Sequence, residues 1–229
     1  MATSIETLEL VAQSIGVKFF TAERAARALR EFRRDCWVTG GRGGGKNAAR
    51  VLPSHFANLL RGLSGELPID APAALEKLQG LSTLCRFSPQ SQLEKALRSY
   101  EVLEKAFGLM DGPDGETFEV WIERCIMTLI GLTPDERREL LDDGDVRDGE
   151  IHLDPYNQRI RIEWGVEFVG RRALVFSPND HLTPMHKIID RPRPRRITVL
   201  PLTVLVRFAN LLAAPSPPRA SSPWQSDAG

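Results

Sequence analysis

Hydrophobic positions recur at helical spacing near the start of the chain and at strand spacing further on. Residues 5–15 place Leu8, Val11 and Ile15 on one side with Ala12 beside them, and Gly16 follows where a helix C-cap belongs. Thr21 is a residue type suited to an N-cap. The run after it, Ala-Glu-Arg-Ala-Ala-Arg-Ala-Leu-Arg-Glu-Phe, is rich in strong helix formers. This predicts a second helix with Ala22, Ala25, Leu29 and Phe32 facing inward. Cys36-Trp37-Val38 and residues 48–52 predict two short strands. Between them, Gly40 to Asn47 holds too much glycine for regular structure. Pro53-Ser54 opens a helix through Phe56, Leu59, Leu60 and Leu63, which Gly65 ends.

The same spacing predicts helices over 72–80, 90–107, 117–131 and 134–142, with Leu93, Leu97, Tyr100, Leu103 and Phe107 on one face of the second. Residues 142–150 form a charged turn region. The period then changes, and 151–153, 159–164 and 173–176 predict strands. Residues 197–200 add another strand and 202–213 a helix. From Pro215 onward Pro, Ser and Ala dominate, so 215–229 is expected to be a disordered tail.

Charge changes this picture more than composition does. The 229 residues are neutral overall, but residues 1–65 hold ten Lys/Arg against five acids, and 66–150 hold nine against nineteen. Residues 151–229 hold eleven against six. A basic end on a neutral whole is what a modular nucleic-acid binder needs, because only its contact surface must attract phosphate. Chance clustering is the plainer alternative. No apolar run approaches the roughly 18 residues of a membrane span. The N-terminus lacks a basic region followed by an apolar stretch, so a cytoplasmic protein is expected. Cys36, Cys85 and Cys125 are odd in number and far apart, which suits reduced thiols rather than disulfides or a zinc site.

Gly40-x4-Gly45-Lys46 matches most of a phosphate-binding P-loop. Asn47 replaces the Ser/Thr that would hold magnesium, Pro53 arrives within two turns, and no nearby strand ends in an aspartate. The stretch reads better as a wing, a hairpin tip projecting Arg42 and Lys46 toward a phosphate backbone, with a loop of no function as the alternative. Arg24, Arg27 and Arg30 fall at i, i+3 and i+6, and Arg34 continues the row. Such a row is either a solvated face or a duplex-facing one, and its mutual repulsion favours the latter.

The order helix, turn, Arg-rich helix, hairpin, helix resembles the winged-helix head of MerR-type regulators and of phage excisionases, and DNA-binding proteins carried by prophages. The stretches that carry it are Leu8 to Gly16, Thr21 to Phe32, the Gly-rich loop, and Pro53-Ser-His-Phe-Ala-Asn-Leu-Leu60, about 60 residues. The resemblance implies that the second helix enters the major groove. Arg24, Arg27 and Arg30 would then contact bases or phosphates, with Thr21 near a phosphate at the helix N-terminus. Arg34, Arg42, Lys46 and Arg50 would complete the DNA-binding set. The wing holds more glycine than these families use, and an acidic mixed module replaces the MerR-type dimerising coiled coil. No metal and no cofactor are implied.

The expected fold class is therefore α+β. A winged helix-turn-helix (1–66) and a linker (67–72) precede a mixed helical and small antiparallel-sheet module for oligomerisation or partner binding (73–214). The Arg191–Arg196 run is a second candidate phosphate contact or an exposed linker. His181 and His186 are separated by Pro184, no Ser sits in a nucleophile elbow, and the acids of 135–150 lack EF-hand spacing. No catalytic set emerges, and a non-enzyme is expected. The expected function is a nucleoid-associated, sequence-specific transcription regulator of phage or mobile-element origin. It would bind double-stranded DNA as a homodimer, with RNA polymerase or another regulator as a further partner. The alternatives are a phage DNA-packaging or recombination accessory, such as a small terminase-like subunit, and a protein-interaction adaptor.

Overall fold

The first helical period forms two helices joined by a four-residue turn. The computed structural model describes residues 2–38, 50–85, 106–107, 115–166, 170–178 and 197–214. Helix α1 spans Ser4–Ser14 and α2 spans Phe19–Phe32. A capping box opens α1: the Glu6 N–H donates to Thr3 Oγ1 at 3.3 Å, and the Thr3 N–H donates to the Glu6 carboxylate at 2.8 Å. Gly16 in the turn has φ +67°, the left-handed region that glycine enters without a Cβ penalty. The small residues Ala22, Ala25 and Ala26, with Leu29, form the buried side of α2, whereas Phe32, expected to face inward, is exposed at the end of the helix.

Helix α3 (Pro53–Gly62) crosses α2 so closely that a Cβ on Gly62 would stand 2.9 Å from Leu29 Cδ1. A 3-10 turn at Pro68–Asp70 leads directly into α4, Ala71–Leu78. Strand β1 (Ser82–Cys85) follows, then α5 (Phe118–Gly131), α6 (Pro134–Asp142) and the short α7 (Gly144–Arg147). Strands β2 (Glu150–Asp154), β3 (Arg159–Val166), β4 (Gly170–Ser177) and β5 (Thr198–Pro201) come next, and α8 (Thr203–Ala213) closes the order.

The five strands form one antiparallel sheet in the order β1-β4-β3-β2-β5. Alternation gives it one apolar face: Ile151, Leu153, Ile160, Ile162, Leu174, Phe176 and Leu200 are buried. Helix α5 covers that face, with Phe118 edge-on to Phe176 at 5.4 Å and Trp121 at 5.9 Å. The fold is α+β. Its apolar interior continues from the first helices into the rest of the chain, because Phe56 of α3 stacks on Phe208 of α8 with ring centroids 4.0 Å apart.

Three local expectations are corrected. Cys36, Trp37 and Val38 form no strand; they lie in a turn and bend, buried beside α3. Of the strand expected over 48–52, residues 48 and 49 lie outside the described residues, and the rest forms only an isolated bridge from Arg50 to Thr3, with the Val51 N–H donating to the Ala2 carbonyl. The packing demand of Trp37 has won over its strand propensity, since its ring meets His55 at 6.4 Å. Within 142–150, Gly144–Arg147 is helical rather than a turn. The helix expected at 90–107, apart from Ala106 and Phe107, and the tail at 215–229 lie outside the described residues.

His55 gives this part of the fold a pH dependence. Its Nδ1 accepts the Leu52 N–H at 3.2 Å at the start of α3. Burial lowers its pKa from the ordinary 6.5, with Asp35 opposing. Unfolded chains therefore bind more protons just below pH 6.5, and stability falls as pH drops through that window. Thermal denaturation between about pH 7.5 and about pH 5 should show a Tm loss that His55→Gln diminishes. An identical loss in both proteins would exclude His55 as the source.

Candidate nucleic-acid interface

The turn at Ile15–Lys18 sets α2 against α1 with its arginines outward. On a helix of about 3.6 residues per turn, Phe20, Arg24, Arg27 and Glu31 share one strip, and Glu23 and Arg30 flank it. Burial follows this geometry. Phe20, Arg24, Arg27 and Glu31 are exposed, Glu23 and Arg30 are half-buried, and Ala22, Ala25, Ala26 and Leu29 are buried on the far side. Arg27 lies 3.9 Å from Glu23, an exposed i,i+4 pair worth about 0.3–0.5 kcal/mol at most. So weak a pair leaves the guanidinium able to exchange its partner for a phosphate oxygen.

Beyond the helix, Arg34 is exposed in the turn after Phe32. Arg33 is exposed too, but turned back onto its neighbours. Its guanidinium sits 5.3 Å from the Phe32 ring centroid, its Nη2 donates to Gln79 Oε1 at 3.4 Å, and its Nε donates to Cys36 Sγ at 3.4 Å. That last hydrogen bond, followed by the charge interaction with the same thiol, raises its pKa. Sequence position alone made Arg33 one more cation of the basic end.

Thr21 is not the cap of α2. The helix starts at Phe19 after Lys18, whose side chain makes no capping bond, and the Thr21 N–H donates to the Lys18 carbonyl at 2.9 Å. Its side chain lines a small cleft with Ile15, Val17 and Leu63, about a quarter-turn from the arginine strip. Arg50 is exposed beside Thr3 at the start of α1. Arg42 and Lys46 lie outside the described residues. The structure therefore brings Arg24 and Arg27 onto one strip with Arg30 at its margin, and does not group Thr21 with them.

Two residues change what the basic end presents. Phe20 is 69% exposed on the arginine strip, an apolar ring where an aromatic contact is available. Nothing in the spacing of the arginines points to it. The Phe19-Phe20 pair is the usable signal, since adjacent helical positions point about 100° apart and only one of them can turn fully inward. Arg61, counted among the basic residues, is 2% exposed. It donates to Glu119 of α5, to Asn58 Oδ1 at 2.6 Å and to the Ala57 carbonyl at 3.4 Å. Burial lowers its pKa to about 10, which still leaves it charged at neutral pH.

Comparison of the chain with protein-family models, curated proteins and solved structures gives no significant match. Among the described residues, no helix is long and apolar enough to cross a membrane.

Proposed function

We propose that residues 1–66 act as a winged helix-turn-helix in a sequence-specific DNA-binding transcription regulator, working by binding rather than by catalysis. The observation that carries this reading is the exposed strip of α2, where Arg24 and Arg27 stand with Phe20 while Arg30 flanks them, directly after a short Gly16-containing turn. In this reading α2 lies in the major groove. Arg24 and Arg27 contact bases or phosphates, and Arg30 and Arg34 hold the adjacent backbone. A homodimer would place two such helices on successive half-sites of double-stranded DNA.

Selection from a random-sequence duplex pool on the immobilised full chain supplies the probe. Fluorescence anisotropy of the recovered duplex then follows affinity between about 50 mM and about 200 mM salt. Enrichment of a common sequence is expected, together with a steep loss of affinity as salt rises. Arg24→Ala, Arg27→Ala and Arg30→Ala combined should flatten the log–log salt slope by about one for each phosphate that is no longer neutralised. No enrichment, or a triple variant that binds as the parent does, would remove the proposal.

A further inference from the structure

The polar face of the sheet carries a second cluster, independent of α2. Along β2, Ile151 and Leu153 point into the core, so Glu150 and His152 point to the opposite face. Along β3, buried Ile160 and Ile162 alternate with Arg161 and Glu163. The register pairs Glu150 with Glu163 and His152 with Arg161. Four groups thus form a two-by-two block on strands whose spacing the ladder fixes.

Two carboxylates directly opposite each other in a sheet repel. Here both converge on one ring nitrogen. His152 Nε2 lies 3.0 Å from Glu150 Oε2 and 3.9 Å from Glu163 Oε2, and one ligand atom from each residue falls within 4.8 Å of the other two. An imidazole nitrogen between carboxylate oxygens must hold either a proton or a cation, because its bare lone pair would face theirs. Arg161 Nε donates to the other oxygen of Glu163 at 2.7 Å, which turns Oε2 toward His152. Glu163 is itself buried, and Arg161 supplies the positive charge that a carboxylate in that position needs.

We propose that Glu150, His152 and Glu163 bind a first-row divalent transition cation of the Zn2+ or Mn2+ type, with Arg161 as the positioning residue. One imidazole and two carboxylates suit that class better than the all-oxygen sites of Mg2+ or Ca2+. Metal–ligand bonds of about 2.0–2.2 Å put two ligands of one ion roughly 3–4 Å apart, the range of both His152 distances. The grip of Arg161 on the distal carboxylate oxygen is the kind of outer contact that orients a ligand. Three protein ligands leave further positions for water. No metal is expected from the sequence, because Glu163 comes within reach of Glu150 and His152 only through the strand register.

Calorimetric titration of the chelator-treated full chain with ZnCl2, MnCl2 and MgCl2 tests this. One Zn2+ or Mn2+ per chain is expected, with a Tm that rises with metal concentration and no response to Mg2+. His152→Ala and Glu150→Gln should abolish binding, and Arg161→Gln should weaken it about 10- to 100-fold. Co2+ provides a second readout, as its visible absorption should appear in the parent and vanish in His152→Ala. Glu150→Gln, at the more exposed ligand, carries the test if His152→Ala fails to fold. The absence of Zn2+ and Mn2+ binding, or retention of binding by the ligand variants, would overturn the assignment. Neither result depends on whether the chain binds DNA.

Discussion

Phe208→Ala is expected to destabilise the protein by about 3–5 kcal/mol, a large part of the roughly 5–15 kcal/mol that holds a typical domain together. Phe208 is fully buried, and its ring lies 4.0 Å from that of Phe56 at an interplanar angle of 4°. Truncation removes both a large apolar surface and the partner of a stacked ring. Phe56→Ala should cost a similar amount. The double variant should lose less than the sum, with a coupling of about 0.5–1.5 kcal/mol for the aromatic pair. Urea denaturation is the measurement, run in variants that keep a single tryptophan of the four, either Trp37 to report on the first helices or Trp121 to report on the sheet side. If both tryptophans report one transition that shifts together in Phe208→Ala, the two ends of the chain unfold as one unit. Loss at Trp37 alone would mean that the stack serves only the first helices.

The second large effect concerns Arg61. Arg61→Ala should destabilise by about 3–5 kcal/mol, because it strands the Glu119 carboxylate against α3 without its cation and leaves a gap where a long side chain lay. Raising the pH would offer no relief under ordinary conditions. Burial lowers the pKa from the ordinary guanidinium range to about 10, so the guanidinium is charged in both folded and unfolded states at neutral pH. The cost of burying it is therefore present throughout the range below about pH 10 and would be relieved only as pH rises through that value. Replacing both partners tests the assignment from the other side. Arg61→Met with Glu119→Leu should lie within about 1–2 kcal/mol of the parent, since an apolar pair of similar volume can substitute for a buried ion pair. Denaturant midpoints for the three proteins decide the matter, and a double variant as unstable as Arg61→Ala would show that the pair does more than neutralise charge.

Most elements were legible because they repeat a period over several residues. Arg159 to Trp164 alternates polar and apolar side chains in the manner of a strand with one wet face, and β3 occupies those positions. The helix expected over 117–131 is found as Phe118–Gly131, capped by the Thr117 hydroxyl, which accepts the Val120 N–H. Strand β1 has no signature of its own, because its four residues pair with β4, nearly a hundred positions later, and such partners leave no local trace. Thr21 marks the wrong helix start for a definite reason. A hydroxyl residue before an alanine-rich run is the usual helix start, yet α2 begins two residues earlier with an aromatic pair. Arg24 and Arg27 were readable as exposed because the alanines opposite them fixed the inward face. Arg61 was not, because its counter-ion belongs to a helix 58 positions downstream. The Glu150–His152 half of the metal cluster was present in the alternation of one strand, while Glu163 required the pairing register.

The stack of Phe56 on Phe208 also has a consequence for synthesis. The N-terminal helices leave the ribosome first, but the ring that covers Phe56 belongs to the last described helix. At about 5–20 residues per second, translation separates the two by on the order of ten seconds. During that interval the nascent N-terminal part carries an uncovered aromatic surface, open to chaperones and to neighbouring chains. Completion of α8 is what ends that exposure.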